Sequence, residues 1–298
     1  MSNTNSHPAA ARPIVEEMAA MGRLAVAFSG GVDSSLVAAL AHRALGAKAL
    51  AVTAVSETMK SREVEEASRI AAEIGIEHRL VEFSELASAD FRANTAARCF
   101  FCQSMRFDQL LELGQAIGYE RIASGTNLSD LGDFRPGLEA MKQRRVYQPL
   151  LSHGLDKAAV RALARDLGLS VWNKPAQACL SSRIPRGLEV TDARLRRVEK
   201  AEELLLELGF EACRVRDLDD SASVEVPTDR LDEVQRPEVR EAVVRGLEEL
   251  GFARVTIDPE GYESGKLNPA PNDRRAAAEL RVIATPPRRA IDGPSSPA

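Results

Sequence analysis

Three stretches of strand length open the chain: Leu24 to Phe28, Ala49 to Val55 and Arg79 to Phe83, each bounded by polar or glycine-containing breaks. Between them the apolar positions return at helical spacing, at Leu36, Val37, Leu40 and Ala41, and again from Ser61 to Ile74, where Gly75 stops the pattern. A further helix is predicted over Phe107 to Ile117, ahead of Gly118, and a short strand over Arg121 to Ser124, running into Gly125. Strand and helix alternate, so residues 13–187 are read as an α/β domain on a parallel sheet. Ligands of such sheets collect at the carboxyl ends of the strands. The turn at Ser29, the segment after Val55 and Gly125, Thr126 and Asn127 all fall there.

The back third has a different pattern. LLLELGFEACRVRD (204–217) and GLEELGFARVTIDP (246–259) repeat one another as helix end, Leu-Gly-Phe turn and strand, with a further strand over Ser221 to Val226 between them. Residues 188–266, after the Arg-Ile-Pro-Arg-Gly linker, are therefore read as a smaller α+β domain ordered helix, strand, strand, helix, strand. Side chains alternate along a strand. Val215 should thus face a core while Arg214 and Arg216 share the opposite side, and Val255 and Ile257 should oppose Arg254, Thr256 and Asp258. Paired arginines suit phosphate, so the outer face is a candidate substrate platform. The polar residues 1–12 and the proline-rich residues 267–298 lack a sustained periodic face and are expected to be disordered.

Charge and cysteine count narrow the function. A net charge of −5 supplies no broad basic field, which argues against a protein that grips a long nucleic acid through phosphates. No apolar run approaches the ~20 residues of a membrane helix, and the first residues lack a charged-then-apolar signal layout. A cytoplasmic location is expected. Four cysteines in 298 residues are too few for a disulfide scaffold and point to metal binding or chemistry.

The first strand runs into Ser-Gly-Gly-Val-Asp-Ser, residues 29–34, and then into a helix. Glycines at that point free successive backbone N–H groups to face an anion at the positive end of the helix. A Walker loop needs four residues between its glycines and a following Lys-Ser or Lys-Thr, and a Rossmann turn needs a third glycine; neither is present. SGGVDS instead resembles the pyrophosphate loop of the ATP pyrophosphatase superfamily, which cleaves ATP between its α and β phosphates. Ser29, Gly30, Gly31, Asp33 and Ser34 are the candidate ATP-binding residues.

Cys99 and Cys102 form a CxxC between the third strand and the next helix, Cys179 stands alone, and Cys213 shares a strand face with Val215 and reads as buried. Three remaining thiolates are one short of a closed zinc site and suit a [4Fe–4S] cluster with one open iron. A redox CxxC with an unrelated Cys179, or zinc completed by His153, fits the spacing as well.

Distributed over residues 23–268, the chain resembles the LarE-type sulfur transferases, which make the thiocarboxylates of the nickel-pincer nucleotide. The resemblance rests on SGGVDSS (29–35), GTNLSDLGDFRPGL (125–138), WNKPAQACLSSRIPRG (172–187), RVR (214–216) and GYESGKLN (261–268). It implies that ATP, with Mg²⁺, adenylates a carboxylate of a pyridinium mononucleotide and that sulfur then displaces AMP. Members with the CxxC as well as the cysteine matching Cys179 hold a [4Fe–4S] cluster on all three and deliver sulfide from its open iron; this chain has the CxxC. The chemistry itself asks for a metal beside the departing pyrophosphate, for which Asp33 or Asp130 is the candidate, and Arg183, four residues after Cys179, is placed to orient the substrate phosphate or carboxylate; the resemblance adds Arg214, Arg216 and Lys266 as residues that would meet the substrate phosphate. Lys266 stands where an arginine is frequent and lacks its planar fork. A homo-oligomer is expected, and the sulfide donor is open.

Two enzyme alternatives share the loop. A tRNA thiolase could also combine it with three cysteines, and an amide-forming synthetase of the NAD or GMP kind would have no need of Cys179. A non-catalytic nucleotide or redox sensor would bind ATP without releasing pyrophosphate.

Overall fold

The computed structural model of the protein describes residues 8, 10–132, 136–175 and 178–262. Its first unit is a parallel sheet of β1 (Leu24–Ala27), β2 (Ala49–Val55), β3 (Glu77–Glu82) and β4 (Ile122–Ala123), in the order β3-β2-β1-β4. The chain steps outward from β1 to β3 and then returns across β1 to β4, so the direction of winding reverses between β1 and β4. That reversal opens a crevice at the carboxyl ends of these two strands. The Ser29 turn and Gly125 both face it.

Helices α1 (Arg12–Ala19), α2 (Val32–Leu45) and α3 (Ser61–Ile74) cover the sheet, with α4 (Ala89–Arg92), α5 (Arg98–Ala116), α6 (Pro136–Gln143), α7 (Pro149–Ser152) and α8 (Lys157–Asp166) following. α2 carries almost no charge along VDSSLVAALAHRAL and is buried along most of its length, as a helix apolar on every side must be. Its core includes Leu36, Val37 and Leu40, packed with Ile14 and Met18 of α1 and Val160 of α8. α1 starts inside the segment expected to be disordered: Ala11 is fully buried ahead of it, and Pro13 occupies its first turn, where no N–H is needed. Residues 1–7 and the tail from 263 lie outside the described residues, and Lys266 with them.

A second departure concerns the CxxC. The helix expected from Phe107 begins at Arg98, so Cys99 and Cys102 lie in its first turns rather than in a connecting stretch. The adjacent aromatics Phe100 and Phe101 break the apolar period, and only Phe100 of the pair is buried.

The second sheet holds β5 (Arg214–Asp217), β6 (Ser221–Glu225) and β7 (Arg254–Ile257), with β5 antiparallel and β7 parallel to β6. It is flanked by α9 (Asp192–Glu207), α10 (Leu231–Val234) and α11 (Pro237–Glu249), and Val215, Val224, Leu205 and Leu247 meet in its core. The expected charged face holds on β7, where Arg254 and Thr256 are exposed, but not on β5. There Arg216 is buried in a bidentate ion pair with Glu225, at 2.9 and 2.7 Å.

The two units are joined by packing and by charge. Phe91 of α4, Cys102 of α5, Leu180 and Leu195 of α9 share one apolar cluster, and Lys60, ahead of α3, reaches Glu202 of α9. Among the described residues no helix is long and apolar enough to cross a membrane.

Candidate active site

The turn after β1 is built to leave N–H groups open. Gly30 has φ +67°, a conformation side chains disfavour, and a Cβ there would come within 2.9 Å of the Ala67 Cα on α3. Gly31 is the N-cap of α2 and offers no side-chain acceptor to the first turn. The orphan N–H groups of a long, buried helix thus face the crevice, the arrangement that binds phosphate. Ser34 Oγ donates to the Gly31 carbonyl and receives the Ser29 N–H, which holds the turn in shape.

From the other side of the crevice, Gly125 passes so close to α2 that a Cβ would lie 2.7 Å from the Ser34 nitrogen. Asn127 donates its side-chain amide to Asp33 at 3.1 Å, and its backbone N–H to Asp130 at 3.0 Å. Thr126 is buried and meets Ser124. Both carboxylates proposed from sequence for Mg²⁺ therefore gather around one asparagine.

Two cations that the sequence reading did not single out stand beside the turn. Lys157, first residue of α8, pairs with Asp33; Lys174 pairs with Glu66 at 2.8 Å and donates to the Gly30 carbonyl at 3.2 Å. Lys174 lies within the WNKP segment, so its signal was available. Lys157 carries none, since only the folding of α8 against α2 brings it there.

These groups line one pocket of about 620 Å³, large enough for a nucleotide, and Cys179 lines it too. The turn that suits ATP phosphates and the lone cysteine thus open on a shared space. Cys99, exposed at the surface, and Cys102, buried, lie within electrostatic reach of Cys179. Desolvation pushes both thiols up, and the charge of Cys179 adds to that, while arginines, Arg98 for Cys99 and Arg106 for Cys102, oppose it. Cys213 packs in the core of the second unit, and burial pushes its thiol up to about 11.

In donor type the three thiols suit an iron–sulfur cluster. Among the described residues, however, no three His, Cys, Asp or Glu side chains are arranged to hold a metal ion. Cys102 instead donates to buried Glu85 at 2.7 Å, and Cys179 meets the Ser181 hydroxyl at 3.1 Å. Binding a cluster would require Cys102 to leave Glu85. His153, the alternative zinc ligand, is engaged with Glu17 at 2.8 Å.

Arg183 does not face the pocket. It is 1% exposed and its guanidinium is consumed inside the protein, by Glu202 at 2.8 and 2.9 Å and by the carbonyls of Ala178 and Cys179 at 2.6 and 2.9 Å. Its bonds to these two carbonyls shape the Cys179 turn. Arg216 is likewise occupied by Glu225 and the Ser182 carbonyl. Arg214 is half-buried, stacked 4.8 Å from the Tyr262 ring and bonded to the Cys213 carbonyl.

The asparagine synthase family, by its model, matches residues 12–100, the portion that carries the phosphate-binding turn. The fold and this turn define a PP-loop ATP pyrophosphatase. Across nearly its whole length the chain is 34% identical to the pyridinium-3,5-bisthiocarboxylic acid mononucleotide synthase of Lactiplantibacillus plantarum, over 91% of this chain and 96% of that protein. It is 43% identical to the uncharacterized protein slr1717 of Synechocystis, over 83% of this chain and 92% of the relative. The tRNA-specific 2-thiouridylase MnmA of a Caulobacter strain matches at 27% over 55% of the chain and about half of its own length. The chain belongs to the LarE-type family of the Lactiplantibacillus synthase, and is an ATP-dependent sulfurtransferase.

Proposed function

We propose that this enzyme adenylates a carboxylate of a pyridinium mononucleotide and converts it to a thiocarboxylate. A carboxylate oxygen attacks the α-phosphorus of ATP and pyrophosphate leaves; sulfur then attacks the acyl carbon and AMP leaves, carrying the bonding electron pair. The first-turn N–H groups of α2, with Lys157 and Lys174, hold the phosphates and meet the charge that develops on pyrophosphate. Asp33 and Asp130 would hold Mg²⁺, which neutralises phosphate oxygens. Arg214 meets the substrate phosphate from the second unit.

The observation that carries this reading is that Cys179 and the Ser29 turn line one pocket, so activated acyl group and sulfur source can meet without leaving it. Cys99, Cys102 and Cys179 would hold a [4Fe–4S] cluster, which would supply a binding place for exogenous sulfide in place of the protein's own sulfur. Arg183 holds the Cys179 turn for either sulfur source.

The test incubates anaerobically reconstituted protein with ATP, sulfide and pyridinium-3,5-dicarboxylic acid mononucleotide, and in parallel with bulk tRNA. Thiocarboxylate, AMP and pyrophosphate in the first mixture are the expected products. Sulfur in tRNA alone would overturn the assignment in favour of a tRNA thiolase.

A further inference from the structure

One acid in the pocket lining has no part in binding ATP. Glu63 is the third residue of α3, half-buried, and lines the pocket with Cys179, Lys174 and Met59. The other acids of the lining, Asp33 and Asp130, belong to the phosphate end, gathered around Asn127. Glu63 is tied instead to the Cys179 turn, because the Leu180 N–H donates to the Thr58 carbonyl at 2.9 Å and so fastens that turn to the loop leading into α3. From the second unit, Glu199 of α9 accepts the Ser61 N–H at 2.8 Å and holds the first turn of α3 in place.

The Glu63 carboxylate is left short of positive charge. Lys60 turns to Glu202 at 2.5 Å, Lys174 to Glu66 at 2.8 Å, and Arg183 to Glu202 at 2.8 Å. Glu63 accepts the Lys60 backbone N–H but makes no ion pair among the described residues. Desolvation outweighs the pull of these three cations and holds the carboxyl above its ordinary value. A cation brought in by a ligand recovers that cost.

The surroundings select among cations. A divalent metal takes several oxygen ligands, and the other acids of the lining are the two at Asn127. The chain before Glu63 and before Cys179 lines the pocket with apolar Met59, Pro175 and Ala178, and a methionine sulfur makes favourable contact with an aromatic ring. A flat ring with a diffuse positive charge uses both the acid and the apolar lining. Arg214 and Glu63 both lie within electrostatic reach of the Arg183 guanidinium, so a mononucleotide held by its phosphate at Arg214 can bring its ring to Glu63.

We propose that Glu63 is the counter-ion of the substrate's pyridinium ring: it selects a cationic aromatic nucleotide over a neutral one and holds the ring's carboxylate beside Cys179. This rests on the reading of the site as one that thiolates a pyridinium mononucleotide.

The test measures the Kd of pyridinium-3,5-dicarboxylic acid mononucleotide and of its 1,4-dihydropyridine form, which keeps both carboxylates and the phosphate but has a neutral ring. Calorimetry is run with Mg²⁺ and α,β-methylene ATP, so that no adenylate forms, on wild type, Glu63→Gln and Glu63→Asp. Glu63→Gln keeps an oxygen for the Lys60 N–H and removes only the charge. Wild type is expected to prefer the cationic form. Glu63→Gln should weaken binding of that form about tenfold, the low end of measured couplings between close charges, with binding of the dihydropyridine form and of the ATP analogue unchanged. Glu63→Asp should restore part of the preference. Equal binding of the two forms by wild type would overturn the proposal, and that measurement needs no variant to fold. A wild-type preference retained by Glu63→Gln would also overturn it, as would a loss of ATP-analogue affinity instead, which would assign Glu63 to the metal or the phosphates. Wild type that binds the ATP analogue but neither form of the nucleotide would remove the reading beneath the proposal, whereas equal binding of the two forms would remove the proposal alone.

Discussion

Arg183 and Glu202 form a closed bidentate pair at 2.8 and 2.9 Å, with each side chain no more than 2% exposed. The pair spans the junction between the Cys179 turn and α9. Lys60 joins it from the first unit, and the Val215 N–H from the second sheet donates to the same carboxylate. Removing one partner strands a buried charge, whose cost is about 3–5 kcal/mol. Arg183→Met should therefore lower the unfolding free energy by that order in urea titrations. Arg183→Met combined with Glu202→Met should recover part of the loss. Equal stability of Arg183→Met and wild type would remove Arg183 from its structural role.

The same pair sets an acid limit. Desolvation of Glu202 acts to raise its carboxyl, but Arg183 and Lys60 outweigh it and hold the group at about 2, below the ordinary 4.5. A carboxyl lowered in the folded state stabilises the fold above its unfolded value and loses that contribution as pH falls toward its folded one. The urea midpoint should fall as pH drops from about 4.5 toward 2. Glu202→Gln should show a shallower decline across that window while starting from a lower midpoint. Parallel curves would show that other groups set the acid limit.

Gly125 tests the phosphate end. An alanine methyl would meet the Ser34 nitrogen and Asp33 carbonyl carbon at 2.7 and 2.8 Å, forcing the β4 loop away from α2. Gly125→Ala should weaken ATP binding about tenfold or more, equivalent to about 1.4 kcal/mol, as read by calorimetry. Native affinity would show that the close approach has no part in forming the ATP site.

Lys174 bonds the Gly30 carbonyl of the phosphate turn and lines the same pocket as Lys157. If it meets charge on the leaving pyrophosphate, Lys174→Met should lower the rate of ATP–pyrophosphate exchange by about 10²-fold, the scale of one preorganised donor, with a smaller change in ATP affinity. A change in affinity alone would make it a ground-state ligand.

Local pattern reached much of this site and stopped at particular residues. β2 and α3 were legible to the residue because Ala49 to Val55 is continuously apolar and Gly75 ends its helix with φ +81°. Ser29 to Ser34, Gly125 and Asn127 were legible because backbone chemistry demands those residue types. Arg183 and Arg216, expected at the substrate, are engaged by Glu202 and Glu225, and sequence does not foretell this because an arginine's partner depends on which acid the fold buries beside it. Glu202 and Glu225 are unremarkable in sequence. Lys157 and Glu63 were invisible for the complementary reason: their positions come from helix packing and from no motif.

Cys179 decides whether activation and sulfur delivery are separate steps in one pocket. The direct measurement is ATP–pyrophosphate exchange and thiocarboxylate formation, side by side, in Cys179→Ala with the pyridinium dicarboxylate nucleotide. Exchange that persists while thiocarboxylate is absent is the predicted result. Thiocarboxylate formed by Cys179→Ala at the wild-type rate would contradict it.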